Sequence, residues 1–216
     1  MRSLFLTLQP IYLCLCLDLS RRDIVSTIPM SKFSDTVKLP TQSSISPDNR
    51  SLYFYGDVTD ESCFWLSKTL EEFSQKGDEN EPIHLHIQSI GGSLIPTFNV
   101  VDTIERIPSP VYTYVDGFAA SAASLISVVG KKRYMGKHSL ILLHQLSSKN
   151  EGTSVSTYNN MVDEMLNLNK MMEFLKDIYL EHSKLNRDKL IDILSHDNRW
   201  MDAQLSLKYG LVDEII

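Results

Sequence analysis

Cysteine is scarce in this chain: there are three, at positions 14, 16 and 63, with no C-x-x-C pair and no even framework. That excludes a disulfide-stapled secreted scaffold and a cysteine-ligated zinc site. Positive charge is short as well. Twenty-one Lys and Arg stand against 27 Asp and Glu, giving a net charge of -6, and no long basic run occurs. Nucleic acid and anionic membrane are therefore not the expected partners. Long apolar runs are missing: the stretch from Leu4 to Leu17 is interrupted by Gln9 and Pro10 and is too short to span a bilayer comfortably. His84 and His86 alternate on one strand face, but no Cys, Asp or Glu is spaced to complete a ligand set. The expectation is no metal and no cofactor.

What remains is an ordinary globular composition, with 43% hydrophobic and 22% charged residues over 216 positions. A chain of this length forms one domain with a sizeable core. The first 30 residues differ from the rest: they have the length of a signal h-region without a clear cleavage site, and Arg2, Arg21 and Arg22 without the acid-poor composition of a transit peptide. Residues 1–50 are read as a leader and extended arm, either targeting or inert, and 51–216 as the folded domain.

Along that domain the pattern alternates. SLYFYGDV reads as a strand ending at Gly56, and ESCFWLSKTLEEFSQ as a helix capped by Asp60 or Glu61. PIHLHI is a second strand running into QSIGGS. LIPTFNVVDTIERI is a helix with Pro96 in its first turn, where proline is tolerated. PVYTYVDG is a third strand, and GFAASAASLI should begin the next helix. RYMGKHSLILLHQ adds a strand pair, residues 157–184 a long helix, RDKLIDIL a short one, and LKYGLVDEII a closing strand. Alternating strands and helices predict an α/β fold with a parallel sheet and crossover helices. The long helix carries Met161, Met165, Leu168, Met172, Leu175 and Tyr179 near one stripe. Such a stripe suits core or helix packing, or an oligomer interface.

Two glycine-bearing loops fall at equivalent places, each after a parallel strand and before a helix. Ligands bind at the carboxyl ends of such strands. Gly91 and Gly92 let the backbone approach a substrate, and amides there suit a developing negative charge. Ser121 follows small residues that leave room for a peptide carbonyl. A serine hydroxyl needs a base, and His144, ending the apolar run SLILLH, is placed to supply one. Taken singly these signals are bland; a GG is usually a turn and a serine before a helix usually a cap.

Taken together, QSIGGS, GFAASAASLI, RYMGKHSLILLHQ and the ending YGLVDEII resemble the ClpP-like serine peptidases, the proteolytic subunits of the Clp protease. The resemblance runs from about Leu52 to Ile216. It implies a ClpP/crotonase-like α/β fold of repeated β-α units with a protruding handle helix at residues 157–182. It implies Ser121 as nucleophile, His144 as base, and the backbone amides of Gly92 and Ala122 as oxyanion hole, with Ser124 structural. It further implies ATP-dependent hydrolysis of unfolded proteins in protein quality control. The chamber would be two stacked heptameric rings, a tetradecamer, fed by an AAA+ Clp ATPase in the cytoplasm or in an organelle stroma or matrix. The third triad position falls on Asn198, where the family usually has Asp; Asp197 competes from one residue earlier. Other departures are QSIGGS for N-S-P-G-G, Lys137 and Leu146 where prolines are usual, a Ser121-to-His144 spacing about two residues shorter, and no amphipathic helix ahead of Leu52. Two alternatives stand beside this reading: a catalytically weak or silent ring subunit, and a crotonase-type acyl-CoA enzyme.

Overall fold

The computed structural model describes residues 44–46, 50–147, 157–197 and 199–216. The elements are β1 (Ser44–Ser46), β2 (Ser51–Tyr55), α1 (Asp60–Lys76), β3 (Ile83–Ser89), α2 (Leu94–Arg106), β4 (Val111–Ala120), α3 (Ala122–Val128), β5 (Lys132–Met135) and β6 (Leu140–Leu142). After them come α4 (Tyr158–His182), α5 (Arg187–Leu194), β7 (Trp200–Met201), α6 (Ala203–Lys208) and β8 (Glu214–Ile215). The strands form one sheet in the order β1-β2-β3-β4-β5-β8, with β6 beside the far half of β4 and β7 beside β6. All pairings are parallel except β1 with β2 and β6 with β7.

Burial alternates along β3 and along the first half of β4, as a period of two requires when one face meets a core and the other does not. On the core face Leu85, Ile87, Val111 and Val115 pack with Leu66 and Leu70 of α1 and with Val100 and Ile104 of α2. The other face carries a row of stacked rings: Tyr53 on His86 at 4.7 Å, His86 on Tyr114 at 4.6 Å, and Tyr114 on Tyr134 at 4.8 Å. His84 Nδ1 lies 2.8 Å from the Tyr114 hydroxyl, and His86 Nδ1 lies 2.6 Å from Asp116 Oδ2. Both histidines are thus engaged within the sheet face.

Several boundaries differ from those read in the sequence. The cap of α1 is Thr59, whose hydroxyl accepts from Ser62 N at 3.1 Å while Thr59 N donates to Ser62 Oγ at 2.9 Å. This reciprocal box contributes about 1 kcal/mol; Asp60 and Glu61 lie inside the first turn, where their charge favours the positive end of the helix. Strand β4 continues through Gly117 to Ala120 because its two halves have different partners: residues 112–115 pair with β5 and residues 118–120 with β6. The closing segment is mostly turn and irregular chain after the end of α6 at Lys208, with only Glu214–Ile215 in strand. The long-helix stripe divides: Leu175 and Tyr179 are buried, while Met161 and Met165 remain 53% and 59% exposed. Strands β1 and β7 were not anticipated, and β1 lies within the segment read as an arm. The apolar stretch from Leu4 to Leu17 and position Asn198 lie outside the described residues.

Candidate active site

Strand β4 delivers Ser121 to the start of α3 in a strained turn. Its backbone has φ 54° and ψ -126°, a region that costs a non-glycine residue on the order of 1–3 kcal/mol. The surroundings over-determine it. Ser121 N donates to Leu142 O at 2.9 Å, and Ser121 O accepts from Ser124 N at 3.0 Å and from Ser124 Oγ at 2.6 Å. A sharp strand-to-helix turn of this kind exposes a nucleophile at the top of a parallel sheet. Ala119, Ala120, Ala122 and Ala123 are all buried, so the small residues serve tight packing of the turn on its neighbours as well as clearance.

The loop after β3 rests directly on this turn. Gly91 has φ +94°, and a Cβ there would lie 2.6 Å from Ala120 O and 2.7 Å from Ser121 Cβ. Gly92 has φ +151°, and a Cβ there would lie 2.1 Å from Val58 O. Any side chain at 91 would push the serine aside, and any at 92 would break the loop from its anchor. That anchor is a single parallel bridge: Val58 N donates to Gly91 O at 2.9 Å, and Ser93 N donates to Val58 O at 2.8 Å. In a parallel bridge the residue between those two groups directs its own N–H to the opposite side. The Gly92 amide therefore points away from Val58. The Ala122 amide is the first of α3 and, like every first-turn amide, has no acceptor within its helix.

His144 follows β6 by two residues. Its Nε2 is buried and has no hydrogen-bond partner among the described residues. Burial lowers the imidazole pKa below its ordinary value, and the nearby Asp197 charge acts in the opposite direction. The ring is thus neutral near neutral pH and has a free nitrogen that can accept a proton. Asp197 also takes a long 3.5 Å contact from Gln145 Nε2.

A cavity of about 210 Å³ brings these groups together. Gly92, Ser121, Ala122 and His144 line it, with Leu94, Leu146 and Leu175 supplying apolar wall. All four site residues that lie within the described part of the chain share this one space. Ser124, the second serine of the run, is 1% exposed and bonded inside the fold. Sequence reasoning missed Val58, which anchors the glycine loop from an isolated bridge, and the Leu142 carbonyl, which no side chain signals. It also gave no role to Tyr179 beyond packing. Among the described residues no cluster of three His, Cys, Asp or Glu could hold a metal ion, and no helix is long and apolar enough to cross a membrane.

The chain is similar to known proteins over most of its length. The Clp protease family matches residues 42–216. The ATP-dependent Clp protease proteolytic subunit 1 of Chlamydia abortus is 33% identical over 171 residues, covering 78% of this chain and 87% of that protein. The subunit of the same name from Chlamydia trachomatis is 30% identical over the same coverage, and the Lactococcus lactis proteolytic subunit is 31% identical over 147 residues, 67% of this chain and 72% of that one. Among solved structures, a ClpP1 mutant from Listeria monocytogenes superposes with a TM-score of 0.69 at 23% identity, over 78% of this chain and 92% of that chain, and shows the shared fold. With a family match spanning residues 42–216 and relatives at 30% identity or better, the chain belongs to the Clp protease family.

Proposed function

We propose that this chain is the proteolytic subunit of an ATP-dependent Clp protease and cleaves peptide bonds as a serine endopeptidase. The observation that carries the reading is the strained Ser121 sharing one cavity with His144, Gly92 and Ala122. In this mechanism His144 Nε2 takes the proton from Ser121 Oγ as the oxygen attacks the peptide carbonyl. The carbonyl oxygen becomes an oxyanion, held by the Gly92 and Ala122 N–H groups. Collapse expels the amine, which leaves with the proton from His144, and an acyl-enzyme remains. Water then attacks the ester, again deprotonated by His144, and the Ser121 hydroxyl is restored. Removing one oxyanion donor in such a site costs about 10²–10³ in turnover. Free enzymes often hold their catalytic pair looser than hydrogen-bond distance and close it on substrate, which suits the unpartnered Nε2 here.

For the third position we propose Asn198, which accepts from His144 Nδ1–H and fixes the ring. What supports this is its place in the ClpP-like pattern, counted back from the ending YGLVD. Asp197, the competing candidate one residue earlier, adds a through-space negative charge that acts to raise the His144 pKa. Exposed Tyr158, Met161, Met165 and Leu166 on α4 support assembly of rings through this helix, and the family supports a Clp ATPase partner that delivers unfolded protein. A fluorophosphonate probe tests the chemistry: it is expected to label the chain at Ser121, and Ser121→Ala is expected to abolish both labelling and peptide turnover. Turnover surviving in Ser121→Ala overturns the reading.

A further inference from the structure

Under the nucleophile turn lies a pair of buried hydroxyls that the mechanism above does not use. Tyr179, on the packed half of α4, is 1% exposed, and its hydroxyl lies 2.7 Å from Ser124 Oγ. Ser124 Oγ donates its single proton to Ser121 O at 2.6 Å, with Leu142 O farther off at 3.3 Å. With that proton committed, Ser124 Oγ can only accept from Tyr179, so the chain of donation runs Tyr179 to Ser124 to the Ser121 carbonyl. Burial pushes the Tyr179 phenol above its ordinary pKa, which keeps this donor protonated across the working pH range. Hydrogen bonds in such a row polarise one another and strengthen the last one.

The acceptor at the end of the row matters because of the peptide it belongs to. The Ser121 carbonyl and the Ala122 N–H are two ends of one planar, trans unit, so they point in opposite directions. Holding the carbonyl down into the core aims the amide up into the cavity that Ala122 lines. We propose that Tyr179, acting through Ser124, is a positioning residue that fixes the Ser121–Ala122 peptide so that its amide faces the developing oxyanion. This inference rests on the reading of Ser121 as nucleophile. It also ties the handle helix to the chemistry: a shift of α4 along or about its axis would move the Tyr179 hydroxyl and release the peptide.

The test is steady-state peptide hydrolysis and fluorophosphonate labelling by the full chain, with melting temperature alongside. The oxyanion contact strengthens in the transition state, so its loss falls on kcat and not on KM. Tyr179→Phe is expected to lower kcat about tenfold, a loosened rather than deleted donor, with KM within about twofold of the wild type and labelling slowed in parallel. Ser124→Ala strands a buried Tyr179 hydroxyl and is expected to lower both kcat and the melting temperature. Combining Ser124→Ala with Tyr179→Phe removes both partners and is expected to restore the melting temperature while kcat stays low. Recovery of kcat together with stability would make the pair merely structural and overturn the inference. So would a Tyr179→Phe chain that turns over and is labelled at the wild-type rate, which leaves the nucleophile reading intact. A wild-type chain that resists labelling at Ser121 overturns that reading, and this inference with it.

Discussion

In the proposed mechanism Ser121 and His144 divide the chemical work, and each is set for it by backbone or burial rather than by a special side chain. The serine is held at φ 54°, and its exposure at a turn is a property of the strand before and the helix after it. The histidine is kept neutral by desolvation, which disfavours its charged form. A base works only while unprotonated, so a pKa lowered in the folded enzyme preserves activity on acidification. The acidic limb of kcat/KM is therefore expected below about pH 6.5, the ordinary histidine value. Asp197 raises the pKa, so Asp197→Asn should move that limb lower still. A rate profile with its limb at or above 6.5 would contradict the assignment of His144 as a desolvated base. That these two candidates line one cavity was legible in the sequence, because their order and spacing relative to the glycine pair are one-dimensional facts. Tyr179 was not: a tyrosine at the i+4 position from Leu175 on an apolar stripe looks like core, and only the fold brings Ser124, 55 residues earlier, to its hydroxyl.

Among the elements, the loop after β3 and the end of β4 form a single interlocked piece. The GG pair could be read as room for a substrate, and at Gly92 the amide does face away from its anchor. At Gly91 the structure gives a different reason, close approach of the loop to Ala120 and Ser121. Gly91→Ala places a Cβ against two backbone atoms and a serine side chain at a φ that L residues rarely adopt. It is expected to cost on the order of 1–3 kcal/mol in stability and, because misplacing a catalytic group by about 1 Å can cost 10²-fold, to lower kcat more than tenfold. Thermal melts and turnover measured together check this; wild-type turnover in a folded Gly91→Ala chain would contradict it. Gly117 shows why element boundaries were harder to read than element types. A glycine after an apolar strand reads as a stop, yet here φ +107° lets β4 pass a register shift between Ile87 and Ser89 and pick up β6 as a second partner. The α1 cap was displaced for a similar reason: acidic residues suit the first helical turn as well as the cap, and only the Thr59–Ser62 reciprocity separates the two.

For the whole molecule, the alternation of strands and helices was enough to anticipate a parallel sheet, whereas the antiparallel additions β1 and β7, at three and two residues, are too short to leave a periodic signal. The first half of α4 has its apolar residues uncovered, with Met165 at 59% and Leu166 at 60% exposure. Apolar surface gathered on one helix is costly to leave in water, and a second copy of the chain is the cover that the family membership supports. Light scattering is expected to return a multiple of the 24.6 kDa chain, with the double substitution Met165→Asp, Leu166→Asp shifting it toward monomer; a wild-type monomer at working concentration would contradict assembly through this surface. The central claim is narrower, that Ser121 is the nucleophile of a peptidase. Intact-mass and peptide mapping of the fluorophosphonate-treated chain tests it most directly. The expected result is one phosphonyl adduct per chain, on Ser121, absent from Ser121→Ala; no adduct, or an adduct on another residue that survives Ser121→Ala, would contradict it.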